Sequence, residues 1–187
     1  MLSSPAAAQT SWEQFPVSQS RLEFSAPGLS GKPSRGWELK GNSSNNNKVR
    51  SFQYRWGNPF AGEGAFAWIA LSQIRDSNIY FSTQPQWQAI QGLTEFATRK
   101  TEFVADSPAL AKTDGLGSLQ TRPFQSEGRA CLAFGGLTNG GVSSQLLYGE
   151  GMASGDTSVR GYYCSTSSGR PLGPQDSAAI MGALKFR

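Results

Sequence analysis

Hydrophobic and polar positions alternate in several short runs of this 187-residue chain. Alternation at period two marks strands with one covered face. The clearest run is residues 48–56, where Phe52, Tyr54 and Trp56 face one way and Gln53 and Arg55 the other. Gly57, Asn58 and Pro59 end it. Residues 65–74 are apolar on both sides, Phe66, Trp68 and Ala70 against Ile69 and Leu71, which predicts a central strand covered on both faces. In residues 129–134, Ala130, Leu132 and Phe134 alternate with Cys131 and Ala133. Shorter or weaker strands are predicted over 37–40, 78–82, 119–124, 144–148 and 158–164.

Helical spacing occurs at Trp87, Ile90, Leu93 and Phe96, with Pro85 in a first turn, and predicts a helix over 83–97 that Gly92 weakens. Ser107 and Pro108 predict a short helical turn through Ala111. The chain is expected to end in a helix, with Pro174 at its first position and Asp176 near its positive end. Ile180, Ala183 and Leu184 would form its buried stripe, and Lys185 and Arg187 its basic end. Residues 41–47, Gly-Asn-Ser-Ser-Asn-Asn-Asn, read as a loop or hairpin tip. The sum is one α+β domain over 21–187: a mainly antiparallel sheet of about six to eight short strands with two helices, one of them C-terminal.

Composition narrows the chemistry. A hydrophobic content of 37%, with 11% aromatic residues, supplies a core and excludes full disorder. The chain has no histidine and two cysteines. That removes Ser-His-Asp and Cys-His nucleophile systems, His-bearing zinc sites and four-cysteine zinc sites. No cofactor or metal is expected. No G-x-S-x-G or S-x-x-K motif is present. Gly62-Glu-Gly64 and the glycine-rich stretch 149–155 each lead into a predicted strand, so they read as turns rather than phosphate loops. Glu63, Glu127 and Glu150 sit beside glycine in predicted loops and read as solvated surface.

The net charge of +4 is local. Residues 32–56 hold six basic side chains and one acid, Glu38, for a net +5; the rest of the chain is −1. Within this segment Arg35, Lys48, Arg50 and Arg55 interleave with Trp37, Tyr54 and Trp56. Cations beside aromatic faces can hold an anionic partner. The simpler reading is aromatic residues in the core and basic residues outward in water.

The N-terminus carries Ala6-Ala7-Ala8 before Gln9, which fits an A-x-A signal-peptidase site but lacks the basic and apolar regions of a whole signal peptide. Residues 1–20 read as the remnant of a signal peptide and a flexible tail, Met1 lying inside a longer leader; the alternative is a plain Ala/Ser-rich terminus. Cys131 and Cys164 form a disulfide in an oxidising compartment, or stay as two buried thiols in a reducing one. No apolar stretch reaches the ~20 residues of a membrane span.

Residues 115–187 carry Leu116-Gly117, Arg122-Pro-Phe124, Glu-Gly-Arg-Ala-Cys-Leu-Ala-Phe134, Arg-Gly-Tyr-Tyr-Cys164 and Gly-Arg-Pro-Leu172. This stretch resembles small uncharacterised exported proteins of alphaproteobacteria. The resemblance implies export and a structural pairing of the two cysteines between neighbouring strands; it implies no activity.

The expectation is therefore a periplasmic or secreted protein that is not an enzyme and acts by binding or as an accessory subunit of a cell-envelope assembly. Its partner would be another envelope protein or an anionic envelope surface, not nucleic acid. One alternative is an envelope glycan hydrolase using paired carboxylates. Another is a polyanion-binding module built on residues 32–56.

Overall fold

The computed structural model describes residues 11–40, 49–60, 64–74, 93, 95–97, 99–104, 108–139, 142–143, 156–168 and 170–187. In chain order these form β1 (Ser11–Gln14), a 3-10 turn (Val17–Gln19), β2 (Leu22–Phe24), β3 (Arg35–Lys40), β4 (Val49–Trp56) and β5 (Phe66–Ile74). There follow β6 (Thr101–Phe103), β7 (Ala109–Lys112), β8 (Ser118–Ser126), β9 (Arg129–Asn139) and β10 (Val142–Ser143). The last elements are β11 (Thr157–Ser168), helix α1 (Pro174–Gly182) and β12 (Leu184–Phe186).

Ten strands make one sheet in the order β1-β3-β4-β5-β11-β9-β8-β6, with β10 on β9 and β7 on β8. All of these pairings are antiparallel. The remaining two strands, β2 and β12, form a separate antiparallel ribbon. Asp114 ties the two sheets together: its N–H donates to the Leu184 carbonyl, and its own carbonyl accepts from Phe186.

Strand alternation divides the core in two. On one face Phe52, Tyr54, Trp56, Ala67, Ile69, Leu71, Leu132, Phe134, Val159 and Tyr163 pack together. The ribbon and helix cover them with Leu22, Phe24, Ile180, Met181 and Leu184. On the other face Phe66, Trp68, Phe124, Cys131, Ala133, Tyr162 and Cys164 form a smaller cluster with Leu93 and Phe96. The central strand predicted over 65–74 is β5, between β4 and β11, and its apolar residues are shared between the two clusters.

This architecture corrects the α+β expectation of six to eight strands and two helices. The described residues form an antiparallel β structure of twelve strands with one α-helix. The strands not foreseen, β1, β2, β6, β10 and β12, have two to four residues each, too few to display a period. Residues 109–111, expected in a helical turn, belong to β7, with Ala109 opposite Thr121 on β8. The chain does not end in a helix. α1 stops at Gly182 and Leu184 enters β12, where it pairs with Phe24. The helix start is as read: Pro174 is its first residue, and the Asp176 carboxylate accepts from the Gly173 N–H at 2.8 Å. Most of the helix predicted over 83–97 lies outside the described residues, and Glu95–Ala97 form a turn. The strands predicted over 78–82 and 144–148 and the loop 41–47 also lie outside them. Within the segment 1–20, residues 1–10 lie outside the described residues and Ser11–Gln14 pair with β3.

Candidate functional site

The covered face of the large sheet changes character at one end. Arg50 on β4 is opposite Gln73 on β5, Gln73 is opposite Thr157 on β11, and Thr157 is opposite Thr138 on β9. These four side chains share strand parity with the core residues Phe52, Leu71, Val159 and Phe134. A polar row across four adjacent strands thus caps an apolar core.

Two cavities open on this row. The first, of about 370 Å³, is walled by Phe15, Phe52, Tyr54, Leu71 and Ile74 and carries Gln19, Arg21, Arg50 and Gln73. Among the described residues its lining holds two guanidinium groups and no carboxylate. The second, of about 350 Å³, shares Arg21 and Gln73 with the first and adds Gly115, Leu116, Thr138, Asp156, Thr157 and Phe186. Apolar walls with a few convergent polar groups are the usual make-up of a small-ligand site.

Each charge in the first cavity is held in place. Arg50 reaches one oxygen of Glu38 with two nitrogens, at 2.6 and 2.7 Å, and stacks 4.8 Å from the Phe52 ring centre. Lys40 bonds the other Glu38 oxygen at 2.7 Å. Burial opposes ionisation of Glu38, but the hydrogen bonds from Lys40 and Arg50 overcome it and hold the carboxyl below its ordinary range. Arg21 lies 4.4 Å from the Phe186 ring centre, and its Nε donates to the backbone oxygen of Arg187. Burial pushes the Tyr54 hydroxyl up to about 12, so it stays protonated at neutral pH.

The seven residues of the basic-aromatic segment do not form one surface. Arg50 and Tyr54 line the first cavity. Arg50 therefore lies on the aromatic side of β4, not on the outward side expected of a basic residue. Trp56 is buried and donates to the Gly31 carbonyl at 3.1 Å. Arg35, Trp37 and Arg55 stand on the opposite face, with Arg55 5.9 Å from the Trp37 ring centre. Lys48 lies outside the described residues. Arg55 belongs to a buried network: it pairs with Glu95 at 3.3 Å, and Glu95 also accepts a hydrogen bond from the Tyr162 hydroxyl. Glu95 is 3% exposed. Burial and the Glu95 charge both raise the Tyr162 hydroxyl far above its ordinary value.

Cys131 and Cys164 are disulfide-bonded, facing each other across β9 and β11 with Cα atoms 4.1 Å apart. Among the described residues no group of three or more His, Cys, Asp or Glu side chains could hold a metal, and no helix is long and apolar enough to cross a membrane. Glu13 and Glu38 are cross-strand partners on β1 and β3. The Glu38 carboxylate is engaged by Lys40 and Arg50.

Sequence reasoning missed Arg21, Gln19, Gln73, Thr138, Thr157 and Asp156. Its usable signal was a break in each core-facing series at the same end of the sheet: Arg50 before Phe52, Gln73 after Leu71, Thr157 before Val159. Only the strand register shows that these breaks align. No family model, curated protein or solved structure is significantly similar to this chain.

Proposed function

We propose that the protein is a periplasmic or secreted, non-enzymatic binding protein, or the binding subunit of a cell-envelope assembly, that holds a small anion at Arg21 and Arg50. The observation that carries this reading is the 370 Å³ cavity whose two guanidinium groups stand beside Phe15, Phe52 and Tyr54. Arginine presents a planar fork of donors to carboxylate or phosphate, and aromatic walls accept the apolar remainder of a ligand. The disulfide supports an oxidising compartment, and Ala6-Ala7-Ala8 supports processing at the N-terminus.

Calorimetric titration with phenyl phosphate tests the reading. Saturable binding that weakens with added salt and falls roughly 10- to 100-fold in Arg50→Gln is expected. Absence of saturable binding at low salt, or turnover of a glycan by the purified protein, would replace it.

A further inference from the structure

We infer that the ligand is a zwitterion, with its acid group on Arg21 and Arg50, its ammonium group on Asp156 and an apolar group against Phe52 and Tyr54. This inference rests on the anion-binding reading above and names its ligand class.

The two cavities are neighbours, because Arg21 and Gln73 belong to the walls of both. Their net charges differ. The first has Arg21 and Arg50; the second keeps Arg21 and adds the Asp156 carboxylate. Asp156 is fixed on two sides: its Oδ1 accepts from the Thr157 hydroxyl at 2.8 Å, and its carbonyl accepts from the Ile74 N–H at 2.7 Å. Thr157 is itself part of the polar row, so the carboxylate is tied to the same end of the sheet as Arg50.

Complementarity then selects among anions. A polyanion extending across the shared wall would bring negative charge to Asp156. A ligand with an ammonium group near its acid group satisfies both charges. The apolar surface of the first cavity favours such a zwitterion with an aromatic or aliphatic side chain, an amino acid or short peptide in chemical type.

Three probes on the disulfide-intact protein separate the possibilities: L-phenylalanine, N-acetyl-L-phenylalanine and L-phenylalaninamide. The free amino acid is expected to bind about tenfold more tightly than the N-acetyl acid, and the amide most weakly. Asp156→Asn should remove the advantage of the free amino acid over the N-acetyl acid. Equal binding of the two acids to the unaltered protein, or a gap that survives Asp156→Asn, would overturn the zwitterion while leaving the anion site standing. Binding of neither acid, or tightest binding of the amide, would remove both. The comparison on the unaltered protein decides the matter even if the variant fails to fold.

Discussion

Arg50 and Glu38 meet at 2.6 Å on the core-facing side of neighbouring strands β4 and β3. The carboxylate holds the guanidinium at the cavity wall, and the guanidinium keeps the carboxylate ionised. Glu38→Ala removes that support. The expected result is a loss of about 1–3 kcal/mol of stability, because a part-buried charge loses its partner, together with weaker anion binding. Urea unfolding and ligand titration of the same variant check both effects.

The same pair predicts a pH dependence. The carboxyls of Glu38 and Glu23 are held below their ordinary value of 4.5. For Glu38 the lowering comes from Lys40 and Arg50 against the opposing effect of burial; for Glu23 it comes first from the hydrogen bond of Lys32. A carboxyl with a depressed folded-state value stabilises the fold above its unfolded value, and that contribution is lost as pH falls through the folded value. The urea midpoint should therefore be steady above pH 5 and decline below about 4.5. Glu38→Gln should make the decline shallower.

Tyr162 and Glu95 define a second, structural use of charge. Tyr162→Phe deprives the buried Glu95 carboxylate of a donor and is expected to cost about 1–3 kcal/mol. Arg55→Met removes the other partner. Because the two donors share one acceptor, their costs should not add, and a double-mutant cycle by chemical denaturation would measure the coupling. Additive costs would show that the network is not a unit.

The disulfide joins facing strands and both cysteines are fully buried. Native protein should resist alkylation after mild reductant. Reduction in denaturant, or replacement of both cysteines by alanine, should lower stability by roughly 3–4 kcal/mol in the chain-entropy model. Intact mass before and after alkylation, with urea melts, checks this.

Gly161 sits between β5 and β9, where an added Cβ would come within 2.6 Å of the Trp68 carbonyl and 2.8 Å of the Phe134 ring. Gly161→Ala should destabilise the protein by about 1–3 kcal/mol through overpacking, seen as a lower thermal midpoint.

The sequence made the middle of the sheet legible and the edges illegible. Phe52, Tyr54 and Trp56, or Leu132 and Phe134, alternate over enough residues to reveal a strand and its covered face. Leu22–Phe24 and Leu184–Phe186 are three-residue strands whose identity comes from pairing with each other across most of the chain length. The C-terminal stripe held in part: Ile180 is buried on α1, but Leu184 is buried on β12 against β2 rather than on a continuing helix. The candidate site was half visible. Arg50 and Tyr54 stood out by composition, whereas Arg21, Gln73 and Asp156 join them only through register and a turn between distant segments. Local charge density also grouped Arg55 with Arg50, although strand parity places them on opposite faces.

The central claim is that Arg21 and Arg50 together hold an anion at this end of the sheet. A crystal structure of the protein grown with phenyl phosphate tests it most directly. The account predicts the phosphate within about 3 Å of both guanidinium groups, with the phenyl ring against Phe52 and Tyr54. Phosphate bound elsewhere, or an empty cavity under saturating ligand, would contradict it.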